Sequence, residues 1–231
     1  MIKTICIYIL FFFIYSFLGW CLEVICKLIS EKRFINRGML IGPICPIYGY
    51  GVLIMTLLLQ DYLKEPITLF ILIIVSCSIL EYFTSYFLEK IYHTRWWDYT
   101  NRKFNINGRI CLETMIPFGV LGILIMNYGN PLVFRFLNLF SNTTICIVSI
   151  ILLITYMMDN IISCKIIYNI QRLSKEIQSK QIIRKDDTER ITKLVRKRIE
   201  GSMKLLDKRL INAFPHLEML KLKKRKKKPH N

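Results

Sequence analysis

Long stretches without charge constrain this chain more than any other feature of its sequence. Ile5 to Leu22, Gly38 to Leu59, Thr114 to Phe134 and Phe136 to Met158 contain no Asp, Glu, Lys or Arg, and Ile67 to Leu88 contains only Glu81. About 20 predominantly apolar residues cross the hydrocarbon core of a bilayer as one helix. The pattern therefore predicts an all-α fold: a polytopic helical membrane bundle of about five spans, near 5–26, 40–60, 66–89, 110–128 and 141–165. The stretch from Asn130-Pro131 to Phe140 is too short to cross again and is expected to lie at the interface as a short helix.

Composition supports this reading through its segregation. The chain is 53% hydrophobic yet carries a net charge of +17, and 21 of its 33 Lys and Arg lie from Lys165 onward. That divides it into a transmembrane domain, 1–168, and a basic amphipathic cytoplasmic tail, 169–231. The basic loop residues set the orientation. Lys27, Lys32, Arg33 and Arg37 fall in one loop and Lys90, Arg95, Arg102, Lys103 and Arg109 in another, on the same side as the tail, against Lys3, Lys64 and Arg135 on the other. The expected topology has the N-terminus outside and the C-terminus in the cytoplasm. Trp20-Cys21-Leu22-Glu23 is a poor cleavage context, so the first run reads as a retained helix. The eight cysteines form no CxxC pair and read as small packing residues, with no metal site among them.

Carboxylates inside spans are the most informative exceptions, because each costs several kcal/mol in hydrocarbon unless it faces a partner or a cavity. Glu23, Glu81, Glu113 and Asp159 all fall roughly 5–12 Å inward from the cytoplasmic ends of their helices, at about 1.5 Å per residue. Three of them extend into polar stripes: Ser16, Gly19 and Glu23; Ser78, Glu81, Ser85 and Glu89; Thr155, Asp159 and Ser163. Two explanations stand side by side, a water-accessible cavity and structural pairing with nearby Lys or Arg. The cavity reading predicts that Glu81 and Asp159 face the bundle interior.

Two irregular segments flank these acids. Gly38 to Gly51 holds Gly42-Pro43 and Cys45-Pro46, so it is either a broken helix lining a wet site or a helix that starts late, near Pro46. The loop 89–109 mixes Trp96, Trp97 and Tyr99 with acids, bases and amides, which suggests a folded cap. In it Asp98 could accept from Arg95 or Arg109, Asn105 or Asn107 could cap the fourth span, and Arg109 could pair with Glu113 at i,i+4, with Asp98 and Glu89 as further partners. The resulting candidate polar cluster for substrate binding is Glu23, Arg37, Glu81, Ser85, Glu89, Arg95, Asp98, Asn105, Arg109, Glu113 and Asp159.

Several of these segments carry a family resemblance. Gly19-Trp20-Cys21-Leu22-Glu23, the stretch from Asn36-Arg37-Gly38 to Gly51, Leu80 to Ser85, Glu89-Lys90, Trp96 to Tyr99 and Phe104 to Leu112 fall in order and in register. Over about residues 8–165 the chain resembles the bacterial Putative ABC-transporter type IV family, whose members are named as transporter permeases. The resemblance implies a bacterial plasma-membrane protein and no catalytic set. The sequence contains no GxxxxGK[ST], so a permease of this kind would need a separate ATPase subunit.

The tail brings its own expectations. Lys165 to about Gln181 reads as the fifth helix running into the cytoplasm, and a basic amphipathic helix follows from Asp187. Seven of the eight residues from Lys221 to Lys228 are basic, which suits anionic lipid at the inner leaflet and not specific nucleic-acid recognition. Three functions fit the whole: a permease-like component with an inward-facing polar site, a non-catalytic scaffold or regulatory partner, or a lipid-headgroup-modifying enzyme. The last would use Glu81, Asp159 or Glu113 with His93 and Arg109. The spans lack histidine and any nucleophile motif, so a non-enzymatic role without cofactors is expected.

Overall fold

Proline opens helices that it cannot continue, since its missing N–H is unneeded in the first turn. Pro46 and Pro66 do this for α2 (Pro46–Leu58) and α3 (Pro66–Tyr92). The computed structural model describes residues 2–32, 36, 38–92 and 95–180. Its other helices are α1 (Ile2–Glu31), α4 (Leu112–Leu124), α5 (Asn130–Leu137) and α6 (Asn142–Lys180). A hairpin of β1 (Asn105–Ile106) and β2 (Ile110–Cys111) precedes α4. Among the described residues, four helical rods are long and apolar enough to cross a membrane, namely Ile2–Ser30, Pro66–Tyr92, Leu112–Leu137 and Asn142–Asn169. The chain is thus an all-α, multi-pass membrane bundle.

Two spans differ from expectation. The fourth continues past 128 to Leu137, because a π-turn at Ile125–Gly129 joins α4 to α5 without a break. The wider turn accommodates Pro131, which lacks an N–H and would crowd the carbonyl four residues back. No separate interfacial helix forms at 130–140, and Arg135 sits in the last turn, where a long side chain reaches water. The second span is short. α2 has 13 residues and starts at Pro46, so the late-start alternative holds and 39–45 runs as irregular chain.

Packing is tight in one half of the bundle. Phe11, Leu69, Ile73 and Ile145 are fully buried, and all come from the helix halves remote from the 95–111 loop. A polar network threads this core: the Tyr15 hydroxyl donates to Asn130 Oδ1 at 2.9 Å, and Asn130 Nδ2 donates to Thr56 Oγ1 at 2.9 Å. Glycine allows α1 and α2 to touch. A Cβ at Gly49 would overlap Ser16 Oγ and lie 2.5 Å from the Phe12 carbonyl, the close approach that small residues permit between membrane helices. The opposite surface is apolar and open. Ile67, Ile71, Val75, Ile79 and Phe83 recur every four residues along α3 and are all exposed, the stripe expected against acyl chains. At its far end α6 extends to Lys180 without interruption, while the proposed amphipathic helix and the 221–228 run lie outside the described residues.

Candidate functional site

The loop after α3 is folded by a turn that requires special backbone angles. Asn107 and Gly108 have φ of 53° and 67°, and Arg109 N–H donates to the Ile106 carbonyl at 3.0 Å. Positive φ at both central positions is the Asn-Gly hairpin signature. Asp98 braces the other strand of chain. It accepts from Thr100 N–H at 2.9 Å, from the Thr100 hydroxyl and from Arg95 Nη1 at 3.3 Å. Partial burial pushes its pKa up, but the Thr100 and Arg95 interactions outweigh this and hold the carboxyl below its ordinary value. Tyr99 N–H then donates to the Gly108 carbonyl at 2.8 Å and Trp97 Nε1 to the Arg109 carbonyl at 2.9 Å. Asn105 and Asn107 do not cap the fourth span. Asn105 bonds Thr100, Arg102 and Gly108 within the loop, Asn107 donates to the Tyr82 hydroxyl, and Cys111 is the residue before α4.

Arg109 fastens this cap to α3. Its Nη2 lies 2.7 Å from Glu89 Oε2, its Nη1 donates to Ser85 Oγ at 3.2 Å, and its guanidinium carbon stands 5.4 Å and 5.7 Å from the ring centres of Tyr86 and Tyr82. Glu89 also receives Arg95 Nε at 3.1 Å. The expected i,i+4 pair with Glu113 is absent, because Arg109 belongs to the turn of the hairpin and α4 starts only at Leu112. Glu113 pairs instead with Arg102 at 3.0 Å, largely in the open.

Asp159 on α6 has a different task. Its Oδ1 accepts from Ile41 N–H at 2.9 Å and from Ser163 Oγ at 2.9 Å, and its Oδ2 accepts from Gly42 N–H at 2.7 Å. Irregular backbone at this depth has no helical partner for its amides, and one carboxylate supplies two.

Between these two anchors lies a cavity of about 400 Å³. Its lining includes Glu23, Tyr48, Glu81, Trp97, Tyr99 and Phe118, so α1 to α4 and the loop all contribute. The Tyr48 hydroxyl donates to Glu23 Oε1 at 2.8 Å. Tyr99 and Glu81, which is only 8% exposed, interact across this space. Burial first, and then the negative charge of Glu81, push the Tyr99 phenol well above its ordinary pKa, so it remains a donor.

The candidate residues therefore fall into four settings. Glu23 and Glu81 face the cavity. Ser85, Glu89, Arg95, Asp98, Asn105 and Arg109 form the bonded cap that holds Trp97 and Tyr99 over it. Asp159 holds the 41–42 backbone, and Glu113 belongs to an outer ion pair. Arg37 and His93 lie outside the described residues. Of the enzymatic grouping, Glu81, Asp159 and Glu113 occupy separate settings, Arg109 is paired with Glu89, and His93 lies outside the described residues. Sequence reasoning missed the tyrosines that complete the site. Their signal was available: a Tyr in an apolar span needs a partner for its hydroxyl, and Tyr48 lies on the span next to the one bearing Glu23. Among the described residues, no group of three or more His, Cys, Asp or Glu could hold a metal ion.

A family model described as Putative ABC-transporter type IV matches residues 10–164, which takes in most of α1 and all of α2 to α5 with the cap. No curated protein and no solved structure matches the chain.

Proposed function

Because the chain belongs to the Putative ABC-transporter type IV family, we propose that it is the permease-like membrane component of a transporter whose substrate site is the capped cavity. The observation that carries this reading is the pair of carboxylates, Glu23 and Glu81, brought from two helices to one space roofed by a braced aromatic loop. A structural ion pair would have no need of a cavity large enough for a small organic molecule. Glu23 and Glu81 meet the substrate, while the Arg109 cap and Asp159 fix the two irregular segments that border it.

The fifth crossing is made by α2 with the irregular 39–45 segment. Thirteen helical residues span about 20 Å at 1.5 Å each, and residues 39–45 supply the remainder. The N-terminus is then outside, the tail and the 95–111 loop are cytoplasmic, and the site faces inward. A separate ATPase subunit supplies energy, and the 221–228 run attracts anionic lipid. Thiol labelling of position 101 from outside intact cells would reverse this topology.

Cys77 lines the cavity and provides the functional test. With the other seven cysteines changed to serine, a small membrane-impermeant thiosulfonate should label Cys77 in inside-out vesicles and not in right-side-out ones. Gly51→Phe should slow that labelling at least roughly tenfold, because a side chain at Gly51 meets only Leu80 Cδ2, at 3.6 Å, and so extends into the cavity. Absence of labelling in both orientations would make the cavity a sealed packing void and end the proposal.

A further inference from the structure

We infer that the cavity accepts an organic cation with an apolar body, such as a lipophilic amine or quaternary ammonium compound. This inference rests on the reading of the cavity as the substrate site and adds the chemical class of the substrate.

Glu81 is the first reason. It lies inside α3, is 8% exposed, and faces the cavity beside Tyr99. A carboxylate buried this way in a membrane protein normally answers a positive charge or marks a path for one. None of the described residues lining the cavity is Lys or Arg. Among the described residues, then, the lining offers Glu81 no cation, and a cationic substrate would supply one. An anionic substrate would meet Glu81 with like charge in a medium of low dielectric, where such a contact costs several kcal/mol.

The walls narrow the class further. Tyr48, Tyr50, Trp97, Tyr99, Phe118 and Tyr156 all line the space, and aromatic faces attract cations, most strongly when both are desolvated. The protein already holds one cation in this manner a short distance away. Arg109 is gripped by the Glu89 carboxylate and stands over the rings of Tyr82 and Tyr86. The cavity repeats the same elements, a carboxylate beside aromatic rings, around an open volume. A small metal cation is less well matched, since among the described residues no group of three or more His, Cys, Asp or Glu could hold one. The remaining wall is aliphatic, with Met55, Leu80 and Leu121. A volume of about 400 Å³ matches an organic ion with an apolar body.

Tetraphenylphosphonium and tetraphenylborate test this, since the two ions share size and shape and differ in sign. The full chain is reconstituted in inside-out vesicles with Cys77 as its one reactive thiol, and each ion is titrated as a protectant against thiosulfonate labelling. The phosphonium should protect Cys77 saturably, and the borate should not at equal membrane-bound concentration. Glu81→Gln should raise the half-protecting phosphonium concentration at least roughly tenfold, the effect of losing one buried charge contact, with protection in each protein expressed relative to its own Cys77 labelling rate without ligand, because Glu81 lies one helical turn from that thiol. Equal protection by both ions, or protection unaffected by Glu81→Gln, would overturn the cation assignment and leave the site reading standing. So would reactive Cys77 that neither ion protects. A Cys77 that no reagent reaches would instead sink the site reading itself.

Discussion

Asp159 separates structural from functional roles for an intramembrane acid, and replacing it with Asn tests which one it has. The carboxylate accepts three hydrogen bonds, two of them from backbone amides at 2.7 and 2.9 Å. An Asn keeps one acceptor but turns an –NH2 toward a backbone N–H. One charge-assisted bond, worth roughly 1.5–3 kcal/mol, is lost, and a partly buried donor then faces another donor at a cost of about 1–3 kcal/mol. Both groups are only partly buried, so a net loss of about 3 kcal/mol is expected, or roughly 6–12 °C in Tm for a chain of this size. The assay is thermal unfolding in detergent, paired with amide hydrogen exchange over residues 38–45. Exchange at Ile41 and Gly42 should accelerate together in Asp159→Asn, with α3 unaffected. Asp159→Ala should go further, because it orphans both amides. Unchanged Tm and unchanged exchange, with weaker phosphonium protection of Cys77, would refute the reasoning and move Asp159 into the substrate site.

Three further outcomes follow from the same geometry. Arg109→Lys should lower Tm by about half as much as Arg109→Ala, because Lys keeps the charge against Glu89 but loses the fork that reaches Ser85 and the guanidinium's place over two tyrosine rings; equal melting of Lys and wild type would mean that charge alone matters. Gly49→Ala should cost about 1–3 kcal/mol by forcing α1 from α2, as overpacking does, read as a lower Tm with the cavity labelling rate altered little. The Asp98 carboxyl has a folded pKa below its unfolded value near 3.9, so its stabilising effect is present above about pH 4 and is lost as pH falls through the folded value. Asp98→Asn should therefore melt below wild type at pH 7, with the gap closing as pH drops below 4, and a gap that widened on acidification would contradict the bracing role.

Sequence patterning made the membrane bundle legible because hydrocarbon imposes one requirement on every span, and a run of uncharged residues reports it directly. The exceptions arose where local chemistry altered the length of a rod. Arg135 and Pro131 look like the end of a span, yet a five-residue π-turn absorbs the proline and the helix runs on to Leu137. Gly42-Pro43 and Pro46 left two readings open, and the choice depended on a partner 117 residues away, Asp159, that satisfies the freed amides. The hairpin is the reverse case. Asn107-Gly108 is among the strongest short-range turn signals, yet the folded cap is expected from the loop's acids, bases and amides alone, with Asn107 assigned to capping the fourth span and not to a turn.

The four acids show why depth alone does not assign a role. Their expected common distance from the helix ends does not hold, since Glu113 stands in the first turn of α4 while Glu81 lies three turns inside α3. Their partners are set by which other segments reach each of them, which spacing along a single helix does not report. Arg109 illustrates the mechanism: the i,i+4 rule holds only within a helix, and the hairpin places Arg109 before α4 begins, so Glu113 falls to Arg102 and Arg109 turns to Glu89. Asp159 is occupied because irregular backbone needed acceptors. Glu81 keeps a cavity before it because the cap that could have offered an arginine spends Arg95 and Arg109 on Glu89, two turns farther along α3, and offers Tyr99 instead. An acid beside a tyrosine and an open space, next to an acid that takes two arginines, is the contrast on which the proposal of a cation receptor rests.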